Sequence, residues 1–518
     1  MNIENSYSIN DFKELFNTLK GNGTFRRLGK TFTTDKHFYF LDTGTGKVAQ
    51  LNKNVYLIIK CLLETDSFDK ILEIGLNEKD LLLALSEIKS DIEKEHILSA
   101  PILTDIRSEA VQSLDYILNN EMSNITLEVT EKCNLRCKYC IYNTYQNNYR
   151  NFGQNDMDFS IAKKSIDYLN KNSSKRDEIY IGFYGGEPLL NFSVIKESVE
   201  YSKKNIKNKK VNYSLTTNAT LITKDIAIFL AQNNFNILFS LDGPKEIHDD
   251  NRVMIDGTGS FDKAINGIKL FVETCNEINI APSFGFNIVV SGPDYENKYE
   301  KIQTFFSQQE WLPQNFYITS SLVDFAPSES QYVIPQSDEE RLIIQNITAP
   351  LRDWSEKNFK RGKKQLFSNG IMNKDLITIH NRLLLDNPVI AYGMNGCCVP
   401  GQRRVYVTVD GNFLLCEKIG NVPPIGNVYN GFDIKSIKKH YIYDFINELK
   451  KHCKDCWAVN LCTLCYVDCY DQNGIHYNYR HSSCISHRKN LEETLSWYHY
   501  LLENNPEELQ ILNEMEVS

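Results

Sequence analysis

The rhythm of hydrophobic and polar residues changes twice along this chain. Residues 38–51, within HFYFLDTGTGKVAQL, form two short β-prone runs around a Gly-Thr-Gly turn, which predicts a hairpin. Two stretches with apolar residues at helical spacing follow, NVYLIIKCLLE from Asn54 and EKDLLLALSEIKSDIEKE from Glu78. Residues 1–105 therefore read as a small hairpin-plus-helices module, either a cap on the next domain or a binding module. From about residue 123 strands alternate with helices, the pattern of a parallel sheet built from βα units. Six strands are expected: NITLEVT at Asn124, EIYIGFY at Glu178, VNYSLTT at Val211, NILFSLD at Asn236, SFGFNIVV at Ser283 and NFYITSSL at Asn315. Amphipathic stretches such as SIAKKSIDYLN and SFDKAINGIKLFVETC lie between them. Six units favour a partial (β/α)6 barrel, placed at 118–345, over a closed eight-unit one. A helical connector is expected over 346–395, a cysteine-rich region over 396–490 and a terminal helix over 491–518.

The length of 518 residues suits about three packed units. With 42% hydrophobic and 24% charged residues, the composition is that of a globular protein. A net charge of -9 argues against a nucleic-acid partner. The start MNIENSYSIN lacks a basic-then-apolar signal pattern, and no apolar run is long enough to cross a bilayer. The expectation is a cytoplasmic protein with no membrane partner. In that setting fourteen cysteines point to metal ligation rather than disulfides. Only Cys61 and Cys275 fall outside two dense groups, and both read as buried apolar residues.

The first group, CNLRCKYC, places Cys133, Cys137 and Cys140 in the loop after the first barrel strand. Three thiolates at this spacing suit three corners of a cubane cluster and leave one iron open. A zinc site short of one ligand and a cluster completed by a distant cysteine are the competing readings. Other unusual residues gather where the next strands end, the place where (β/α) barrels build active sites. They are YGGEP after the second strand, TTNAT after the third and SLDGP after the fourth.

With this motif, including the aromatic Tyr139 before the last cysteine, the sequence resembles the radical S-adenosylmethionine superfamily. The resemblance implies that S-adenosylmethionine binds the open iron and yields methionine and a 5'-deoxyadenosyl radical. Gly185, Gly186, Glu187 and Pro188 resemble the motif that contacts the methionine amine: glycines allow close backbone approach, and a carboxylate suits an ammonium. Ser240 and Arg252 match positions that contact the cofactor ribose and carboxylate in sulfatase-maturing relatives, and Arg252 can offer a planar fork to a carboxylate. Thr217 and Asn218 are further cofactor candidates.

The second group begins with CCVPGQRRVYVTVDGNFLLC, where VYVTV alternates as a strand and Asp410-Gly411 makes a hairpin turn. CKDCWAVNLCTLCYVDC follows, and the nine thiols are enough for two clusters. A pair of zinc sites is the alternative. This region resembles the SPASM domain, which implies two auxiliary [4Fe-4S] clusters and three clusters in all. By that pattern Cys453, Cys456, Cys462 and Cys484 hold one, and Cys416, Cys469 and either Cys397 or Cys398 hold the other. Tyr466 stands where the family carries a cysteine, so the choice between Cys465 and Cys469 is open, as is a free coordination site for a substrate thiol. Glu417 matches an aspartate general base of the sulfatase-maturing relatives, and an exposed hairpin glutamate is the other reading.

Together the regions resemble maturases of ribosomally made peptides. The resemblance implies a winged-helix-like N-terminal module that takes the precursor's leader by strand addition. It also implies an electron donor such as a flavodoxin or ferredoxin, and a thioether or related cross-link as product. A formylglycine-forming maturase is the enzymatic alternative, against which residues 1–105 argue. A cluster-binding sensor without chemistry is the third reading.

Overall fold

The computed structural model describes residues 7–108, 110–140, 142, 152–291, 294–313, 316–322, 349–361, 376–394, 396–420, 422–471, 474–475 and 477–514. Part of the expected connector, 346–348, 362–375 and 395, and the first residue of the sixth strand, Asn315, lie outside them.

The N-terminal module has its own core. Helix α1 (Ile9–Lys20) opens with a reciprocal cap between Ser8 and Asp11 and buries Phe12 and Phe16 one turn apart. Strands β1 (Gly29–Thr33), β2 (Phe38–Asp42) and β3 (Val48–Leu51) form an antiparallel sheet in that order. The expected hairpin is thus β2–β3. Helices α2 (Lys53–Thr65) and α3 (Glu78–Glu95) begin at Asn52 and Asn77, whose side chains cap the first turn. Phe40, Val55, Ile58, Leu62, Leu85 and Ile88 close this core.

The central sheet holds all six expected strands: β5 (Asn124–Thr130), β6 (Glu178–Gly185), β7 (Lys210–Thr217), β8 (Asn236–Ser240), β9 (Ser283–Val290) and β10 (Tyr317–Leu322). They are parallel throughout, in the order of the chain. One face is apolar and sealed: Ile125, Leu127, Val129, Ile179, Ile181, Phe183, Ile237, Phe239, Phe284, Phe286 and Ile288 are buried. The alternate positions face the other way, and they include Thr126, Glu128, Tyr180, Gly182, Tyr184, Asn212, Ser214 and Asn287. Tyr180 and Tyr317 remain 39% and 42% exposed. The concave side is therefore polar and partly exposed near the strand starts, unlike the side-chain-filled interior of a closed barrel.

The sheet does not stop at β5. Strand β12 (Val405–Val407), from the first half of the second cysteine group, pairs in parallel with β5 through Val405↔Ile125 and Val407↔Leu127. Strands β13 (Asn412–Leu414), β14 (Gly426–Asn427) and β15 (Gly431–Phe432) then continue it antiparallel, giving ten strands. A second tie joins β4 (Ile106–Arg107) to β11 (Tyr392–Gly393). The N-terminal module sits against the later cysteine region and the helix Tyr477–Asn504. Thr43 Oγ1 donates to Trp457 O at 2.8 Å, Asn460 Nδ2 donates to Thr43 O at 2.8 Å, and Tyr39 OH donates to Glu503 at 2.7 Å.

Tyr406 is fully buried at the β5–β12 seam, where its hydroxyl donates to Glu128 Oε1 at 3.0 Å. Tyr406→Ala removes this packing and takes one donor from a buried carboxylate that keeps Val409 N at 3.2 Å. The expected cost is about 3–5 kcal/mol in equilibrium denaturation, whereas Tyr406→Phe loses only the hydrogen bond.

Candidate active site

The loop after β5 carries Cys133, Cys137 and Cys140, and neighbouring backbone holds it on two sides. On one side Gly186 N donates to Thr130 O at 2.9 Å and Glu187 N to Lys132 O at 2.8 Å. This contact needs both glycines. A Cβ on Gly185, whose φ is +136°, would lie 2.1 Å from Thr130 O, and one on Gly186 would lie 2.1 Å from Lys132 O. The close approach that the glycine pair permits is thus to the cysteine loop. On the other side Arg136 N donates to Val253 O at 2.8 Å and Lys138 N to Asn251 O at 2.9 Å. Asn134, which sequence reading passed over, ties the loop to the end of β7: it accepts from Asn218 Nδ2 at 2.9 Å and donates to Thr220 Oγ1 at 2.8 Å.

Glu187 is buried beneath this junction. It accepts from Leu189 N at 3.0 Å, Thr217 Oγ1 at 2.7 Å and Asn218 N at 2.8 Å. Burial raises its carboxyl to about 7 despite those three donors. Three of roughly four lone-pair sites are used, and one acceptor position remains. Thr217 and Asn218 act here by orienting Glu187.

Arg252 and Tyr139 meet on Asp242, another residue the sequence reading did not single out. Asp242 is fully buried and accepts from Arg252 Nε and Nη2, both at 2.9 Å, from Tyr139 OH at 2.6 Å and from Val289 N at 2.9 Å. The Nε–Nη2 edge of Arg252 is therefore occupied. Beyond Asp242, the Arg252 side chain also reaches the Cys137 sulfur. Ser240, 8% exposed, leaves its hydroxyl without a hydrogen-bond partner among the described residues. The motif SLDG was the available signal for Asp242: an acid at the end of a barrel strand, ten residues before an arginine.

Burial pushes the Cys133 and Cys137 thiols up to about 12, and for Cys137 the charge of Arg252 opposes that rise. Burial also raises Cys140. Among the described residues no three His, Cys, Asp or Glu side chains converge as one metal ion requires. None of the fourteen cysteines is in a disulfide. The donor set of the first loop is three half-buried sulfurs in a backbone-fixed turn beside a buried cation, and that chemistry suits an iron-sulfur cluster.

Between this loop and the second cysteine group lies a hydroxyl cluster. Tyr142 OH and Tyr406 OH are 3.2 Å apart, and the ring of Tyr184 lies edge-on to Tyr406 with centroids 6.3 Å apart. Glu417 receives Arg404 Nη1 on both carboxylate oxygens, at 2.6 and 2.8 Å. Cys397, Cys416 and Cys453 pack against the central core, Cys469 is buried and Cys398 is exposed. Cys397, Cys398 and Tyr466 line an open cavity of about 440 Å³ with Met394 and Arg107. Cys469 Sγ lies 3.5 Å from Cys465 O, inside their own turn.

The model of the Radical SAM superfamily matches residues 127–293. A cysteine-type anaerobic sulfatase-maturating enzyme of Clostridium perfringens (strain 13 / Type A) is 35% identical over 345 residues, 64% of this chain and 84% of that protein. The chain belongs to the radical SAM superfamily. It is also similar to the radical SAM cyclopropyl synthase TigE of Paramaledivibacter caminithermalis, 25% identical over 66% of this chain and 67% of that one. The solved structure of native anSMEcpe with bound AdoMet and the Cp18Cys peptide shares the fold, with a TM-score of 0.50 and 22% identity over 73% of this chain and 99% of that one. The expected partial-barrel fold and radical SAM enzyme class are both supported. No described helix of this radical SAM enzyme is long and apolar enough to cross a membrane.

Gly186→Ala drives a methyl group into Lys132 O. The expected cost is about 1–3 kcal/mol by denaturation, accompanied by lower iron content after anaerobic reconstitution.

Proposed function

We propose that this chain modifies a ribosomally made peptide, with Cys133, Cys137 and Cys140 holding a [4Fe-4S] cluster beside bound S-adenosylmethionine. The single observation that carries the reading is the cysteine loop, clamped by Gly185–Gly186 and by residues 251–253 at the rim of the polar concave face. When bound, the group supplies one-electron reduction of S-adenosylmethionine; for a thioether, the peptide then loses a hydrogen atom to the adenosyl carbon, a proton to a base and an electron to an acceptor as the S–C bond forms.

The chain's own residues have separable tasks in this proposal. Glu187 uses its remaining acceptor position for the methionine ammonium. Arg252 Nη1 takes the cofactor carboxylate, and the Ser240 hydroxyl takes the ribose. Glu417 accepts the thiol proton, which requires Arg404 to release one carboxylate oxygen. Two auxiliary clusters, on Cys453, Cys456, Cys462 and Cys484 and on Cys416, Cys469 and Cys397 or Cys398, take the electron. Cys465 is the substitute for Cys469. A flavodoxin or ferredoxin supplies the first electron.

A peptide substrate is supported by the polar concave face and by the peptide bound to anSMEcpe. The leader is assigned to the outer edge of β3, which pairs with β2 on one side only among the described residues. About a quarter of this chain falls outside the match to that structure. The N-terminal module, with the outer edge of β3 unpaired among the described residues, favours cross-linking of a leader-bearing precursor. Formylglycine formation is the second reading, favoured by the 35% identical sulfatase-maturating relative.

Anaerobic co-expression with the short cysteine-containing peptide encoded nearest this gene tests the proposal. A loss of two hydrogens per modification, with the thiol protected from alkylation, is expected; an aldehyde at cysteine establishes the second reading instead. Cys137→Ala abolishes 5'-deoxyadenosine formation, and retained cleavage contradicts the assignment. Glu187 must ionise to hold an ammonium, so S-adenosylmethionine affinity should rise by up to about tenfold per unit as pH climbs from 6 to 7. Glu187→Gln flattens that profile in equilibrium binding.

A further inference from the structure

Asp242 stands outside every role given so far, yet it joins more of the candidate site than any residue assigned to it. It follows β8, is fully buried and carries four hydrogen bonds from three separate elements. Tyr139 brings the cysteine loop, Arg252 the segment that clamps it, and Val289 the strand β9. The carboxylate is itself fixed from behind. Asp242 N donates to His248 Nδ1 at 3.3 Å, His248 Nε2 meets Ser260 Oγ at 2.9 Å, and Ser260 Oγ donates to Arg252 O at 2.6 Å. This ring of contacts returns to Arg252, so neither member of the ion pair moves alone. Proton positions follow from it: Nδ1 accepts, so Nε2 carries the hydrogen and His248 is neutral.

A buried guanidinium acts strongly on its surroundings unless a carboxylate balances it. The segment of Arg252 is bonded to the cysteine loop through Lys138 N and Asn251 O at 2.9 Å, and its Cζ is 5.4 Å from the centroid of the Tyr139 ring, so its charge sits beside Cys137 and holds that thiol down against burial. We propose that Asp242 is a positioning residue that sets the charge beside the Cys137 sulfur: it neutralises Arg252, aims Nη1 at the cofactor and anchors the Tyr139 turn between Cys137 and Cys140. Adding an electron to a cluster on these sulfurs adds negative charge. An unbalanced Arg252 makes that addition easier, and an unbalanced Asp242 makes it harder.

The inference rests on the cluster assignment above, and its test separates the two. The full-length chain is reconstituted with iron and sulfide. The midpoint potential is read at pH 8.5, without S-adenosylmethionine, from the EPR signal that changes when the cofactor is then added. Asp242→Asn is expected to move the potential to a less negative value and to weaken cofactor binding roughly tenfold. Arg252→Gln moves the potential the other way, and the double variant returns it toward the starting value. Loss of folding cannot produce opposite shifts that cancel. Unchanged potentials in both single variants overturn the proposal for Asp242, whereas a wild-type chain with no cofactor-responsive signal overturns the cluster assignment. Should Asp242→Asn fail to fold, Asp242→Glu is read instead: weakened cofactor binding with the potential held near its starting value supports the positioning role, and unchanged cofactor binding overturns it.

Discussion

The structure depends on how closely three backbone segments approach at the end of β5. Thr130 and Lys132 accept hydrogen bonds from Gly186 and Glu187, while Asn251 and Val253 accept from Lys138 and Arg136. A loop with three cysteines would otherwise sample many conformations at a cost of about 1–2 kcal/mol per residue on ordering. Here four backbone hydrogen bonds from the flanking segments tie it down on both sides. Side-chain bonds through Asn134, Glu187 and Asp242 then join the ends of β5, β6, β7 and β8 into one rim. Substituting either glycine strikes this junction first.

The sheet links that rim to the rest of the chain. Its sealed face supplies the hydrophobic stabilisation, which leaves the concave face free to be polar and partly solvated. Because β12 pairs directly with β5, the start of the second cysteine group is registered to the strand that delivers the first. Tyr142, Tyr184, Tyr406 and Glu128 occupy the space between the two groups. The N-terminal module is anchored through Thr43 and Tyr39 to the cysteine-rich region and the long C-terminal helix.

Local periodicity made the central fold legible. Each barrel strand is a β-branched or aromatic run bounded by turn residues, and each falls within a few residues of its expected position. Helix α1 and strand β1 were missed because their signals are short: one capping pair with two phenylalanines, and five residues before a tight turn. The pairing of β12 with β5 joins residues some 280 positions apart, which no local pattern reports. At the site, motif resemblance pointed to Gly185, Gly186, Glu187, Ser240 and Arg252, and the structure supplies the partners of the two charged ones. Arg252 reads as a free fork in sequence, but half of that fork is bound to Asp242. Asn134 carries no signal by itself, because a polar side chain in a loop is usually solvated, and Asp242 carries only its place in SLDG ahead of Arg252. Their burial and their partners distinguish them.

The central claim is that the Cys133–Cys140 loop is a complete site for one cluster with an accessible iron. The direct measurement is Mössbauer and EPR spectroscopy of a chain in which the nine cysteines from Cys397 to Cys484 are replaced and Cys133, Cys137 and Cys140 are kept. One [4Fe-4S] cluster per chain, with a spectrum that changes on adding S-adenosylmethionine, is the predicted result. A chain that binds no cluster, or one whose spectrum ignores the cofactor, contradicts the account.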